Sequence, residues 1–418
     1  MNRNNQKIFF SFFVLFLLTN VSFSQESDSL HSKKAEQSIE LFGEGFINSN
    51  AITNNFITAL YNGNFIDDDL KNQVKLRRTN CLGGALNIGL LYSFHLLEKN
   101  KNTIWYFSFS DRSHLDMKFS DNFFDILFYG NKLFAGDTAH LGNFRFNMLR
   151  YQQFCFGMKK EGDYFHGNYG FAFSFLNGEQ NIFIKSDKAN LFTDANGLFI
   201  DFDVAMDIRQ SNTLHQKFFA QNGMGLSTNF FYEMPYISLQ KLGKIKFELN
   251  DFGFIRWNNK SLHYSIDSSY HYDAVEVNDI FNLSNNTFPK PNIDSIIDRN
   301  TKFRKEAYTS FLPSVLCVST QTKYSRQFSF EKGVAWWFNA SAKPYYYMKL
   351  HFCTKRKNIK FIYVIGYGGY GRLHSGLEAK FDFAKYYSLH ISNNYLFSSM
   401  ILSEAAGQGM YLKLTRKF

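Results

Sequence analysis

Apolar and polar residues alternate along several long stretches of the chain. In GLFIDFDVAMDI the apolar residues from Leu198 to Ile208 take every second position, and Asp201, Asp203 and Asp207 take positions between them. The stretches GLEAKFDF, NYGFAFSF and KIKFELN repeat this period of two. Because successive side chains of a strand point to opposite faces of the sheet, each stretch predicts a strand with one apolar and one polar face.

These strands are longer than those of most soluble sheets. Alternation kept over about 8–12 residues lets a tilted strand cross a bilayer, whereas the average soluble strand has about 5–6 residues. A soluble β-sandwich also alternates, but Gly and Pro mark its frequent turns, and this chain has only five prolines. In lipid every backbone polar group must be paired within the protein, which a closed sheet achieves. We therefore predict an all-β fold, a transmembrane antiparallel up-and-down β-barrel of about 14 strands.

The C-terminal stretch GMYLKLTRKF carries this alternation to the last residue. Met410, Leu412 and Leu414 share one face, and Lys413 lies on the other. Closure of a barrel pairs the last strand with the first, so we predict that this strand forms the seam. A strand ending in an aromatic residue, here Phe418, also resembles the signal read by the outer-membrane barrel assembly machinery, which is an expected partner.

Residues 1–24 have the composition of a secretory signal peptide. Arg3 and Lys7 precede the apolar run IFFSFFVLFLL, and the small residues Ser22 and Ser24 stand just before the expected cleavage site. The apolar run is short for a membrane-spanning helix, although a retained N-terminal anchor helix is the alternative. We therefore expect export to the outer membrane and contact with its lipid and lipopolysaccharide.

A helical spacing precedes the first predicted strand. Ile66, Leu70 and Val74 recur every fourth residue, which is typical of one face of a helix. We expect a partly helical N-terminal segment over residues 25–80 that plugs the lumen or rests in the periplasm, or alternatively packs at the rim. The barrel itself is predicted over residues 81–418.

Composition narrows the class of protein further. Aromatic residues make up 19% of the chain, and the mean hydropathy of −0.29 excludes a bundle of apolar helices. The formal net charge is +10, but the basic residues are spread along the chain. An exported protein seldom meets DNA and a basic surface can face anionic lipid, so no nucleic-acid partner is expected. The four cysteines include no CxxC pair, which argues against a zinc site or a disulfide framework.

Several segments resemble one family. The most recognisable are YGNKLFAG (Tyr129–Gly136) and FLPSVL (Phe311–Leu316), together with DRSHLDMKFSDNFFDILF and MLRYQQFCFGMKK. They resemble an uncharacterised outer-membrane β-barrel family of Bacteroidota that carries only a domain-of-unknown-function label. Its distant relatives include fatty-acid-transporter-like barrels and the shuttle barrel of a secretion system. The resemblance implies a barrel and defines no functional residues.

One pair of residues has a spacing suited to hydrolysis. In LHISNN, His390 and Ser392 lie two apart on a predicted strand and share a face, so the imidazole is placed to act as a general base. Similar strings occur in outer-membrane phospholipases and lipid A deacylases. However, Leu389 and Ile391 form the more lipid-like face, which turns the polar pair toward the lumen. We therefore assign no catalytic, cofactor-binding or metal-binding residues.

The sequence favours a non-enzymatic conduit for hydrophobic or small polar compounds. The alternative is an accessory or docking barrel for protein secretion or surface assembly, and a third hypothesis is an outer-membrane lipid hydrolase using His390 and Ser392. Three aspartates share one face of a predicted strand, namely Asp201, Asp203 and Asp207. They either line the lumen or bind a metal, or they simply form the solvent-facing side of their strand, which is the commoner case.

Overall fold

The computed structural model describes residues 37–95, 102–162, 167–215, 217–238, 241–273, 304–354, 359–384, 386–396 and 406–418. The predicted signal peptide, residues 1–24, lies outside them. The strands of the described residues are β1 Gln37–Ser49, β2 Asn80–Phe94, β3 Thr103–Phe119, β4 Asp137–His140, β5 Phe144–Lys160, β6 Asn168–Thr193, β7 Phe199–Gln210, β8 Gly223–Ser238, β9 Lys241–Trp257, β10 Leu262–Asp273, β11 Arg304–Lys305, β12 Thr309–Phe311, β13 Val315–Lys323, β14 Phe328–Trp337, β15 Lys343–Cys353, β16 Ile359–Gly369, β17 His374–Ala384, β18 Tyr387–Asn393 and β19 Gln408–Lys417.

Fourteen of these strands form one closed antiparallel barrel. Around its circumference the order is β1, β2, β3, β5, β6, β8, β9 and then β13 to β19. The last strand closes on the first, with Ser38 opposite Lys417 and Ile47 opposite Gln408. The predicted fold class, strand number and seam are therefore confirmed.

The barrel begins earlier than predicted. β1 is a full barrel strand, paired with β19 on one side and β2 on the other, so the boundary at residue 81 is wrong. Its register places Phe42 and Phe46 toward the lumen and Gly43 and Gly45 outward. Because the outward positions hold glycines and the inward positions hold aromatics, hydropathy alone does not reveal the two faces of this strand.

Among the described residues, three α-helices lie in the connections at one end of the barrel. They are α1 Asn54–Asn62, α2 Asp68–Asn72 and α3 Asp121–Tyr129, and a 3₁₀ turn follows at Asn131–Phe134. Since α1 and α2 join β1 to β2, the predicted helical segment is real but does not precede the barrel. We name this side the helical end, and the side holding Gln37 and Phe418 the terminal end. Among the described residues no helix is both long enough and apolar enough to span a membrane.

The caps and core of the helical segments follow from their sequence. The side chain of Thr53 accepts a hydrogen bond from the backbone of Phe56 and caps α1, as Asp67 does for α2. Phe56 is fully buried, and its ring centroid lies 5.6 Å from that of Phe124 in α3. The two connections are thus joined by an aromatic core.

A projecting sheet extends from the barrel wall at the helical end. Strand β6 has 26 residues, and its distal part pairs with β7, which in turn pairs with β10. The stretch 198–208, predicted as a barrel strand, is therefore β7 of this sheet. Asp203 pairs with Lys188, and the Asp207 carboxylate accepts a 2.8 Å bond from Arg209. These carboxylates form a wet face of the projecting sheet and do not line the lumen.

The two faces of the barrel wall differ in chemistry. Outward positions carry large exposed apolar side chains on nearly every barrel strand, such as Phe107, Phe173, Leu226, Trp336 and Met410. Phe173 is 62% exposed although it sits mid-strand. A continuous apolar belt of this kind is the lipid-facing surface of a membrane-spanning barrel.

Candidate functional site: the barrel lumen

A cavity of about 550 Å³ occupies the lumen toward the helical end. Barrels wider than about eight strands leave space that inward side chains do not fill. The walls of this cavity include several aromatic side chains, with carboxylates and a lysine between the rings. The side chains used below are those of Glu44, Trp337, Tyr345, Tyr347, Lys349, Tyr395 and Tyr411.

Above this cavity, Asp116 of β3 ties together the cover of the helical end. Its side chain is fully buried. It accepts hydrogen bonds from the Ser341 backbone amide at 2.6 Å, the Ser341 hydroxyl at 3.0 Å and the Tyr370 hydroxyl at 2.9 Å, and Arg145 lies 3.3 Å away. Ser341 and Tyr370 belong to turns 338–342 and 370–373, which connect strands on the opposite wall. We call these two turns the cap, because they cross the lumen to reach Asp116.

Other contacts hold the cap down. The Tyr370 ring lies against Gly83, where an added Cβ would sit 2.3 Å from ring carbons. Arg372 donates to the backbone carbonyls of Asn50 and Lys75, which lie in the connection that carries α1 and α2. The Cys81 thiol donates to the Ser341 carbonyl at 3.4 Å. Within the described part of the chain, the cap is therefore held mainly by polar contacts.

A second polar bridge crosses the lumen. Arg112 of β3 donates to Asp251 of β9 at 2.6 Å and to Gln153 at 2.7 Å. The amide of Gln153 donates in turn to Ser174 at 2.9 Å and to Ser227 and Asp251 at 3.3 Å. Since β5, β6 and β8 lie between β3 and β9 around the barrel, this bridge spans the interior.

The terminal end of the lumen is rich in lysine. A space of about 500 Å³ opens there beside Lys244, Lys323 and Lys360. Lys360 and Lys380 stand directly opposite each other on β16 and β17, a pairing of like charges that costs stability unless counter-charge or water intervenes. The described residues of this end therefore place several cationic side chains at the mouth of the lumen.

The structure does not bring His390 and Ser392 together. Both face the lumen as predicted, since His390 lies opposite Lys413 and Ser392 opposite Tyr411 on β19. The His390 Nε2 atom lies 3.4 Å from the Glu378 carboxylate, whereas the Ser392 hydroxyl donates to Asn394 at 3.3 Å. Side chains two apart on a strand are separated by about 7 Å of backbone, and each here finds a different partner. The arrangement gives the hydroxyl no general base.

Sequence reasoning missed both lumenal bridges. Each joins residues more than 100 positions apart, such as Asp116 with Ser341 and Arg112 with Asp251. The sequence showed only that a charged residue lies on the inward face of a strand. Such residues are common in barrels, and the sequence does not identify the residue with which each one pairs. Among the described residues, no three His, Cys, Asp or Glu side chains are grouped so that they could hold a metal ion.

A closed antiparallel sheet with an apolar outer belt and a polar lumen defines a membrane-spanning β-barrel protein. A family model matches residues 37–367, so the chain belongs to the family of unknown function DUF5723. No curated protein matches the chain.

Solved structures of three bacterial barrels are similar to this chain. They are the toluene transporter TodX of Pseudomonas putida (7% identity, TM-score 0.43, 93% of this chain and 91% of that chain), a FadL homologue of Pseudomonas aeruginosa (8%, 0.42, 92% and 91%), and the translocator domain of the autotransporter NalP from Neisseria meningitidis (6%, 0.35, 99% and 95%). Similarity at this level carries no conclusion about function.

Proposed function

We propose that this protein is a non-enzymatic outer-membrane conduit for small hydrophobic or polar compounds. The proposal rests on a lumenal cavity that is lined by aromatic and charged side chains, inside a barrel with an apolar, lipid-facing outer belt. A barrel that served only as an anchor has no need of a cavity of about 550 Å³ lined by rings and charges. Location in the outer membrane and contact with its lipid and lipopolysaccharide belong to the same proposal.

The conduit rests in a closed state. The cap bound to Asp116 covers the helical end, and the Arg112–Asp251 bridge crosses the lumen. Passage therefore requires the cap to move away from Asp116. Since the contacts are polar, water entering the lumen can replace them one at a time.

Reconstitution of the purified, folded barrel tests the proposal. In planar bilayers we expect discrete conductance steps, and in liposomes we expect uptake of small solutes at rates above those of protein-free vesicles. Migration that changes on boiling in SDS gels checks that the barrel is folded and, on membrane fractions, where it resides. A folded barrel that passes neither ions nor small solutes would refute the conduit.

A docking barrel is the second candidate, and the projecting sheet favours it. The apolar side chains of β7, including Phe202 and Met206, share a face with Ile266 and Tyr270 of β10. These four side chains are only partly buried. Crosslinking in living cells separates the two functions, because a protein captured from the face of this sheet supports docking, whereas solute flux with no captured protein supports the conduit.

A further inference from the structure

We propose that the lumenal cavity binds organic cations that carry an aromatic or small apolar body, and that Glu44 is the recognition residue. This inference names the substrate class of the proposed conduit and rests on that function. Glu44 faces inward on β1, opposite Tyr411 of β19 and Asn87 of β2. Although it points into the barrel, it is an exposed residue, because it borders the cavity.

The carboxylate of Glu44 differs from its lumenal neighbours in having no partner among the described residues. Two other acidic side chains of the lumen are neutralised locally. Glu248 lies 2.7 Å from Lys246, and Glu378 lies 2.9 Å from Lys349. Glu44 therefore presents a carboxyl group with no local counter-ion to the cavity.

The cation that acts on this carboxylate and the lysine in the described lining of the cavity are already engaged. Arg112 acts on Glu44 electrostatically, yet its guanidinium is bound to Asp251 at 2.6 Å. Lys349 lines the same cavity and is held by Glu378. An anionic ligand entering the cavity would meet the free carboxylate of Glu44 without meeting a free cation in its lining.

Aromatic rings form the wall that would hold the body of the ligand. The ring centroids of Tyr345 and Tyr347 are 5.7 Å apart, and that of Trp337 lies 6.2 Å from Tyr345. His374 continues this wall to Tyr395, at 5.5 Å from Tyr345 and 4.6 Å from Tyr395. The faces of Trp and Tyr rings attract cations, and they also bury apolar groups.

A second acceptor in the lining also lacks a donor. Asn48 is 3% exposed, and its amide nitrogen donates to the Tyr395 hydroxyl at 3.0 Å. Its amide oxygen is buried and accepts no hydrogen bond within the described part of the chain. A primary ammonium group carries three donors, so it suits a cavity that offers a carboxylate without a local partner. With a volume near 550 Å³, the cavity accommodates a molecule of one or two rings.

Binding measurements on the purified full-length barrel in detergent micelles test the site. The three probes are 2-phenylethylamine, its neutral analogue 2-phenylethanol and the anion phenylacetate, titrated by isothermal calorimetry at pH 7. We expect the amine to bind more tightly than either analogue. Glu44→Gln should weaken binding of the amine by roughly tenfold or more, with little effect on 2-phenylethanol.

Two further variants separate charge recognition from general damage. Glu40→Gln is the matched control, because Glu40 lies two strand periods away on the same face of β1 and is already paired with Lys413 at 3.1 Å. It should leave amine binding within about twofold of wild type. Glu44→Asp keeps the charge and should retain most of the affinity.

The outcomes distinguish this site from the conduit itself. Equal amine binding by Glu44→Gln and wild type, or phenylacetate binding as tightly as the amine, would overturn the inference. If Glu44→Gln does not fold, the affinities of the wild-type barrel for the three probes decide whether the cavity prefers a cation. A barrel that conducts but does not prefer the amine refutes the site alone. One that binds the amine through Glu44 yet passes no solute refutes the conduit.

Discussion

Removing the carboxylate of Asp116 should open the cap. Asp116→Ala deletes the acceptor of three hydrogen bonds and the partner of Arg145, while it leaves the strand pairing of β3 in place. The amide and hydroxyl of Ser341 and the hydroxyl of Tyr370 then lose a charged partner at a site that excludes water in the closed state. Opening restores hydration to these groups, so the substitution favours the open state.

The structure sets the size of the effect. Hydrogen bonds to a charged group contribute about 1.5–3 kcal/mol each, which for three bonds gives an upper limit of about 4.5–9 kcal/mol. Bonds that share one acceptor are not additive, and loss of one partner of a buried ion pair costs about 3–5 kcal/mol. If Asp116→Ala destabilises the closed state by about 3 kcal/mol, the open-to-closed ratio of the cap rises by roughly a hundredfold or more.

Labelling of Cys81 measures that ratio. The Cys81 thiol is buried in the closed barrel and donates to the carbonyl of Ser341 in the cap. In a background where Cys155, Cys317 and Cys353 are changed to Ser, a hydrophilic maleimide reacts with Cys81 only when the cap moves. When opening is fast relative to reaction, the labelling rate follows the open population. We expect Asp116→Ala to raise that rate roughly a hundredfold and to lengthen the open time of single channels.

Two variants show whether the effect is specific. Asp382→Ala removes a lumen-facing carboxylate near the terminal end and should change neither measurement. Gly83→Ala leaves every charge in place but drives a Cβ into the ring of Tyr370, so it should mimic Asp116→Ala. If Asp116→Ala and Gly83→Ala remain folded and label at the wild-type rate, the cap is not the barrier and the reasoning fails.

Three further outcomes are expected. Arg112→Met leaves the partly buried Asp251 without its cation and should lower the free energy of unfolding in urea by up to about 3–5 kcal/mol, whereas adding Asp251→Leu should recover part of this loss; equal stability of the two variants would contradict the bridge. Phe173→Arg places a charge in the outer belt and should cost about 2–4 kcal/mol in a lipid-based refolding titration, and no loss would mean that Phe173 does not face lipid. The hydrogen bond to Asp201 raises the pKa of His271 in the projecting sheet. The contribution of this pair to folding stability is therefore complete below the ordinary histidine pKa and is lost as pH rises through the raised pKa. Asp201→Asn should lower the pKa of His271 in an NMR titration, and an unchanged pKa would refute the pairing.

Much of the wall of the barrel was predictable, because alternation reports directly which side of a strand is apolar. The outward set Met410, Leu412 and Leu414 and the lumenal position of His390 follow from period two alone. β1 was not predicted as a barrel strand, because its outward face holds Gly43 and Gly45 and its inward face holds aromatic residues. β7 was misplaced for a related reason: the pattern shows that a strand has two faces but not whether lipid, water or another strand lies against them.

The lumen was not predictable in the same way. Whether an inward carboxylate has a partner depends on which strands face each other across the barrel, and that depends on closure and register as a whole. Glu40 and Glu44 occupy equivalent positions on one strand, yet Lys413 neutralises the first and leaves the second free. Nothing local in ELFGEGF distinguishes them.

The chemistry of the closure is suited to the proposed conduit. An apolar plug must expose its surface to open, at about 25 cal/mol for each Å². A cap held by the carboxylate of Asp116 exchanges hydrogen bonds with Ser341 and Tyr370 for hydrogen bonds with water, so the net cost per bond is only about 0.5–3 kcal/mol. For the three bonds this amounts to about 1.5–9 kcal/mol, and opening leaves the fourteen-stranded wall intact. A ligand that enters the cavity beneath the cap and binds the open state more tightly supplies such an energy through its differential affinity alone.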